Sequence, residues 1–419
     1  MILRGTGSSL FFILLAVFFC QAAGGQPSVR PGIDVLLEEF PDLLVNRRVG
    51  LITNHTGVSS TLRHSIELLH EHPQINLTAL FAPEHGLTGS RAAGARIPSS
   101  VEEMTGLKVF SLYGGGDARK PTPAMLDEID VLLFDIQDIG TRWYTYISTM
   151  ALAMEAAAEN NKRFIVLDRP NPLGGVAMDG PVLEKDYKSF VGMFEIPVVH
   201  GMTAGELALL YKSDNGLELD LRVVRMDGWE RSMTWPDTGL QWVPTSPHIP
   251  SFESALTYPG LGLLGETGLV NVGVGYTLPF QVAGAPYISA EKFAGRLNAL
   301  ELPGVYFRPV YFEPFFGMFR ENTCQGVHLH VTKPDEFMAV STVMHMLEAL
   351  RDMHPQHFKR EFEREFNRRQ VRRESFTRHL GTAAAAEALI KGERISPLIS
   401  RWQQDINAFR EKREKFLLY

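Results

Sequence analysis

The chain has 419 residues and 46.8 kDa, of which 45% are hydrophobic, 21% charged and 10% aromatic. That is the composition of a globular protein with a sizeable core, and it excludes a disordered, collagenous or coiled-coil chain. A net charge of −7 and a pI near 6.0 argue against nucleic acid as the main partner. Two cysteines, Cys20 and Cys324, are too few for a disulfide framework or a cysteine-built zinc site.

Residues 1–24 read as an export signal. Arg4 gives the positive start, 10–19 an unbroken apolar run, and Ala22-Ala23-Gly24 a small-residue cleavage region. The run falls well short of the about 20 residues a stable membrane anchor needs, and no later segment is long and apolar enough to cross a bilayer. Bulky Phe18 and Phe19 ahead of Cys20 disfavour a lipid anchor there. An exported protein, periplasmic or extracellular, is expected. Residues 355–419 hold fifteen Lys/Arg against nine Asp/Glu, which is read as the solvated faces of surface helices.

From residue 49 to 200 the chain repeats one unit: an apolar, β-rich run, a polar corner, then a helical pattern. The runs are 49–53, 77–82, 109–112, 131–134, 164–167 and 197–199. Short continuous apolar runs suit strands buried on both faces, as in a parallel sheet. Helical patterns fall at 62–71, 124–128 and 148–161. Alternating β and α predicts a doubly wound, mainly parallel α/β domain over 30–240. Residues 241–259 carry Pro244, Pro247, Pro250 and Pro259 and read as an extended connection. A smaller α+β domain over 241–419 follows, with strands at 304–312 and 327–331, a helix at 337–353, and a mostly helical remainder.

In an open α/β sheet, ligands bind beyond the carboxyl ends of the strands. Those ends are polar here. The first run ends in Asn54-His55, the second in Pro83-Glu84-His85-Gly86, and the fourth in Asp135-Ile136-Gln137-Asp138. The fifth ends in Asp168-Arg169-Pro170-Asn171 and the sixth in His200-Gly201. Turn formation accounts for Asn54 and Asn171. It accounts less well for Glu84 and His85, which are not favoured turn residues, or for two acids and a glutamine together.

Such a rim suits carboxylate chemistry. A carboxyl group in a partly desolvated cleft can serve as general acid, and a second, kept ionised, can stabilise positive charge or activate water. Glu84 suits the first role; Asp135 and Asp138 compete for the second. Arg142 has the shape to hold a substrate carboxylate, and Trp143, Tyr144 and Tyr146 beside it suit a sugar site. Neither nucleotide-binding glycine motif occurs, so no nucleotide cofactor is expected. His328 and His330 share one strand face without a carboxylate at suitable spacing, and no metal is expected.

Several blocks together resemble one family. They are Gly50-Leu51-Ile52-Thr53-Asn54-His55-Thr56-Gly57, Ala82-Pro83-Glu84-His85-Gly86, Phe134 to Arg142 with Tyr144-Thr145-Tyr146, Leu167 to Pro172, and His200-Gly201-Met202-Thr203 with Gly205-Glu206. The chain from about residue 32 to the end resembles the exo-β-N-acetylmuramidases of glycoside hydrolase family 171, formerly a domain of unknown function. The resemblance implies a Rossmann-like first domain, a smaller second domain and an active site in the cleft between them. It also implies removal of N-acetylmuramic acid from the non-reducing end of peptidoglycan fragments, with Glu84 as proton donor. Asn54, His85, Gln137, Arg142, Tyr144, Asp168, Arg169, Asn171, His200 and Glu266 are the expected substrate-binding set.

Two stretches depart from the family pattern. Thr245-Ser246-Pro247-His248 replaces a Pro-Ser-Pro-Asn, and Gly273-Val274-Gly275-Tyr276 replaces a Gly-Arg-Gly-Thr. The second change is expected to remove a cation from the second-domain wall of the cleft. Two rivals remain at this stage: a metal-dependent hydrolase using Asp135, Asp138 and His85 or His200, and a wall-binding protein without turnover.

Overall fold

The computed structural model describes residues 29–419 except 93, 115–118 and 364–369. The expected export segment lies outside them. The first lobe is a seven-stranded sheet in the order β3-β4-β2-β1-β5-β6-β7. Its strands are β1 Arg48–Thr53, β2 Asn76–Ala82, β3 Ser100–Val101, β4 Lys108–Ser111, β5 Val131–Asp135, β6 Arg163–Leu167 and β7 Leu221–Val224. All pair in parallel except β3, which runs antiparallel along β4 at the edge.

The apolar runs are continuous because both faces are covered. Alternate residues Leu51, Leu80, Leu133 and Ile165 enter one core with helices α1 Gly32–Glu39 and α2 Ser65–Glu71. Their neighbours Ile52, Phe81, Phe134 and Phe164 enter another, against α4 Tyr146–Glu159 and α5 Ala204–Asp214. The expected doubly wound arrangement is the one observed. The short α3 Pro123–Leu126 lies before β5.

Two expected elements differ. Residues 197–199 form only isolated bridges, Val199 with Thr141 and with Asp179, and the outer strand of the sheet is β7 instead. That strand is only partly buried, so its sequence lacks the unbroken apolar signature. The proline-rich connection gives way at Ser251 to a fifteen-residue helix, α6 Phe252–Glu266, with Pro259 inside it. A proline in a helix interior is ordinarily disfavoured. Here tertiary packing overrides that: Gly260 beside it lets α6 close on α8 Ala339–Met353, where a Cβ would lie 2.3 Å from the Ala339 carbonyl oxygen.

The second lobe pairs α6, α7 Ala290–Asn298 and α8 with a three-stranded antiparallel sheet in the order β8-β10-β9. Its strands are β8 Val282–Ala285, β9 Val305–Phe312 and β10 Cys324–Val331. Helices α9 Gln370–Leu380, α10 Ala384–Ile390 and α11 Ser396–Arg413 complete the chain. Polar ties fix the lobes to each other. The Asp179 carboxylate of the first lobe accepts the Val340 and Ser341 N–H groups at 2.7 and 3.0 Å, capping α8. The C-terminus returns to the first lobe, where the Tyr419 hydroxyl donates to Asp168 at 2.8 Å and the Leu418 N–H to Glu206 at 2.9 Å.

Candidate active site

The corner after β2 is a β-turn, closed by the Gly86 N–H donating to the Pro83 carbonyl at 3.0 Å. Glu84 and His85 are its central residues, so they do make a turn, at a cost. His85 takes φ +69°, a left-handed conformation that costs a non-glycine residue roughly 1–2 kcal/mol. Its Nδ1 lies 2.6 Å from the Arg91 carbonyl oxygen, which holds the turn in place. The turn directs the Glu84 side chain toward the start of α4. There the N-cap residue Thr145 donates its hydroxyl to Glu84 Oε2 at 2.7 Å, and the Gly94 N–H donates to Oε1 at 2.9 Å.

Glu84 lines a cleft of about 430 Å³ between the lobes. The first lobe supplies His85, Tyr113, Arg119, the aromatics Trp143, Tyr144 and Tyr146, and Phe190; the second supplies Tyr258, Glu266, Phe280, Arg378 and His379. The loop bearing Ser246, Pro247 and His248 forms part of the wall. It is pinned because the Tyr144 hydroxyl donates to Thr245 Oγ1 at 2.8 Å and the Tyr146 hydroxyl to the Thr245 carbonyl at 2.9 Å. Tyr113 is pushed up to about 12 by burial and by the nearby Glu84 charge, so it stays protonated. The Arg119 guanidinium stacks over Phe190 at 4.0 Å and over Tyr113 at 5.3 Å. Glu266, at the end of α6, accepts a hydrogen bond from Ser375 on α9.

Most of the other expected site residues are buried in polar contacts away from the cleft wall. Asp135 is fully buried in an ion pair with Arg169, whose Nε and Nη2 donate to its two oxygens at 2.6 and 3.0 Å. Gln137 Nε2 donates to the carbonyls of Asp138 and Pro170, both at 2.7 Å. Asn54 and Asn171 cap turns, accepting from the Thr56 and Leu173 N–H groups at 2.9 and 3.0 Å. Asp168 accepts from Thr203, Gly205 and Tyr419, while burial raises its carboxyl to about 6. None of these residues lines the cleft. Much of their hydrogen-bonding capacity goes to one another and to the turns around them, although Asn54 Nδ2 and Gln137 Oε1 are buried without a partner.

Asp138 and His200 are also withdrawn. Burial raises Asp138 to about 7 and holds the His200 imidazole neutral, down to about 3; the two lie 3.8 Å apart. Arg142 has no exposed surface. Its guanidinium donates to four carbonyls, those of Pro181, Ile196, His379 and Leu380, at 2.7–2.9 Å. The expectation that Arg142 holds a substrate carboxylate is therefore corrected: its two terminal nitrogens are spent on the backbone of both lobes, and its Nε is buried. The metal reading finds no ligand set either. Both Asp135 oxygens are taken by Arg169, and no group of three or more His, Cys, Asp or Glu is assembled to hold a metal among the described residues.

The family model for the N-terminal part of the exo-β-N-acetylmuramidase NamZ matches residues 49–253, and that for its C-terminal part matches 256–419. The chain belongs to this family. It is 44% identical over 394 residues to the peptidoglycan β-N-acetylmuramidase NamZ of Bacillus subtilis (strain 168), covering 94% of this chain and 92% of that protein. A DUF1343 family protein from Bacteroides fragilis NCTC 9343, solved at 1.65 Å, superposes with a TM-score of 0.87 at 44% identity, covering 94% of this chain and all of that one. A second from the same organism, solved at 1.30 Å, has a TM-score of 0.72 at 28% identity, over 93% of this chain and 99% of that one.

Within the family frame the two departing stretches have different positions. Ser246, Pro247 and His248 touch the cleft directly. Gly273 to Tyr276 do not line it in this chain, where Val274 stands in place of the arginine of the family pattern. Among the described residues the wall carries the arginines Arg119 and Arg378, which with Tyr113, Phe190 and Tyr258 are contributions the sequence did not mark. The apolar run 109–112 pointed toward Tyr113, which immediately follows it. Nothing local marked Arg378, more than a hundred residues after the end of α6.

Proposed function

We propose that the chain is an exo-acting glycoside hydrolase that releases N-acetylmuramic acid, or a closely related amino sugar, from the non-reducing end of peptidoglycan fragments. The observation that carries this is the Glu84 carboxyl group, held by Thr145 and Gly94 on the wall of an inter-lobe cleft. A cleft of about 430 Å³ falls in the range of small-ligand sites, about 300–1,000 Å³. The relative from Bacillus subtilis supports the substrate class.

In this reading Glu84, in its acid form, gives its proton to the bridging oxygen as the bond from that oxygen to the sugar C1 breaks. The shortened glycan leaves as an alcohol. Positive charge developing on the ring is stabilised by a second group, and water adds at C1, with its proton passing to a carboxylate. Asp135 and Asp138 are walled off from the cleft, so the second group is Glu266 across the cleft or the substrate's own acetamide. Arg119, beside Tyr113 and Phe190, is the cation placed to meet the lactyl carboxylate of a muramic acid. Export directed by residues 1–24 would bring the protein to its polymer; N-terminal sequencing of chain recovered outside the cell checks it.

The test is hydrolysis of a chromogenic muramic acid glycoside by wild type and Glu84→Gln. Glutamine keeps an acceptor for the Gly94 N–H and can donate its amide to the Thr145 hydroxyl oxygen, but it cannot protonate the leaving oxygen. A loss of roughly 10²–10⁴ in kcat is expected. Near-equal rates would remove Glu84 from the mechanism. Saturable binding of wall fragments with no sugar released by wild type would leave the cleft a recognition site only.

A further inference from the structure

Outside the cleft, the described surface carries an aromatic patch that folding does not hide. Phe315 and Phe316, in the loop after β9, are 69% and 50% exposed. Neighbouring bulky apolar side chains left in water signal a contact surface more often than chance. These two are not on a frayed segment. The Phe315 N–H donates to the Gly275 carbonyl at 2.6 Å, and Asn271 Nδ2 donates to the carbonyls of Val274 and Met318 at 3.1 and 2.9 Å. Gly275 takes φ +91°, and a Cβ there would lie 2.1 Å from the Phe316 carbonyl oxygen. The Gly273–Tyr276 stretch, one of the two that depart from the family pattern, is thus the bracket that holds the loop.

The patch is continuous with the cleft. The Phe316 ring lies 6.0 Å from the ring of His248, a cleft-lining residue, with 37° between the planes. On the other side, Tyr276 lies 6.5 Å from Phe315 and 5.2 Å from Phe312, again with shallow tilts of 38° and 37°. The four rings Phe312, Tyr276, Phe315 and Phe316 lead by way of His248 to the cleft.

We propose that Phe315 and Phe316 form a platform for the leaving part of the glycan, the sugars beyond the bond that is cut. A pyranose ring has one face of C–H groups and a rim of hydroxyls. Its C–H face suits the negative face of an aromatic ring, while the hydroxyls stay in water. An exo-acting cleft encloses one terminal sugar, so the rest of the polymer must emerge at its mouth. His248 and Phe316 stand where such a chain meets the surface. The platform rests on the functional reading above, and it deepens it by assigning residues to the polymer side of the site.

The experiment uses the full chain carrying Phe315→Ala with Phe316→Ala, and a ring-preserving control, Phe315→Tyr with Phe316→Tyr. Two arms are read. In the first, kcat/KM is measured on a chromogenic muramic acid monosaccharide glycoside and on a wall tetrasaccharide ending in muramic acid. The alanine pair is expected to lose on the order of tenfold on the tetrasaccharide and to stay within about twofold on the monosaccharide, with the tyrosine pair near wild type. In the second, dissociation constants for the tetrasaccharide and for free N-acetylmuramic acid are measured in the Glu84→Gln background, without turnover. The same selective loss is expected.

Equal losses on both ligands, no loss on either, or no tetrasaccharide binding in the second arm would each overturn the platform. Wild type that cleaves no muramic acid glycoside would overturn the functional reading instead, and the binding arm would still decide the platform.

Discussion

Replacing Arg142 by methionine separates two roles that one arginine beside an aromatic cluster could fill. If Arg142 bound a substrate carboxylate, its loss would raise KM for an anionic sugar and leave the fold intact. The structure gives it another task. It sits in the interior, donating to carbonyls of Pro181 and Ile196 in the first lobe and His379 and Leu380 in the second. Burial alone pulls its guanidinium down to about 9, so it remains charged at neutral pH. A hydrogen bond to a charged group contributes about 1.5–3 kcal/mol, so four would sum to roughly 6–12 kcal/mol. Removing a buried charge also relieves its desolvation, and neighbouring carbonyls recover some partners. The expected net cost is about 3–5 kcal/mol, as for other broken buried charge networks. At about 2–4 °C per kcal/mol, the value for domains of 150–250 residues, melting should fall by roughly 6–20 °C. Calorimetry of Arg142→Met beside wild type measures it, with KM determined below the new transition on charged and uncharged glycosides. A melting change under 2 °C with KM raised only for the charged sugar would refute the reasoning.

Two further perturbations probe the frame around the cleft. The Asp138 carboxyl is raised by burial from 3.8 to about 7, so the folded state holds its proton more tightly than the unfolded chain. That contribution to stability is complete below about pH 4 and lost as pH rises through 7. Asp138→Asn should therefore gain on wild type across that window and level off above it; melting curves from pH 4 to 9 with a constant difference would contradict this. Asp179→Ala strips α8 of the acceptor that caps it from the other lobe and strands the Val340 and Ser341 N–H groups, at a cost of about 2–4 kcal/mol. Hydrogen exchange at the start of α8 should quicken before the rest of the chain opens, and unchanged protection there would remove the cap from the account.

The repeating apolar runs and the helical stretches between them made the first lobe legible. A strand covered on both faces has no solvent side to keep polar, so 49–53, 77–82 and 131–134 announce themselves by composition. Edge elements lack that mark, which is why the partly buried β7 is silent in the sequence while the apolar 197–199, which makes only isolated bridges, is not. Pro259 misled in a different way. Its local preference speaks against a helix interior, and only the packing of α6 on α8 shows what outweighs it.

The site divides along the same line. Glu84 was readable because an acid and a histidine between proline and glycine are poor choices for an unconstrained turn, and His85 indeed pays in backbone strain. The remaining strand-end residues could not be ranked from their types. Asp135 and Arg169 fill the crevice where the strand order reverses between β1 and β5, so the open cleft lies to one side, above β2, β4 and the start of α4.

By itself, then, the order of residues determined the layered sheet, through patterns of near neighbours, and the family, through blocks kept in order along the chain, and it singled out the acid at the corner after β2. Which polar groups remain open to a ligand was decided only by the tertiary structure. Arg142 and Arg119 are the same residue type in the same lobe, yet one is surrounded by backbone carbonyls and the other lines the cleft. Burial and the supply of hydrogen-bond partners, set by segments as distant as α9, made that difference.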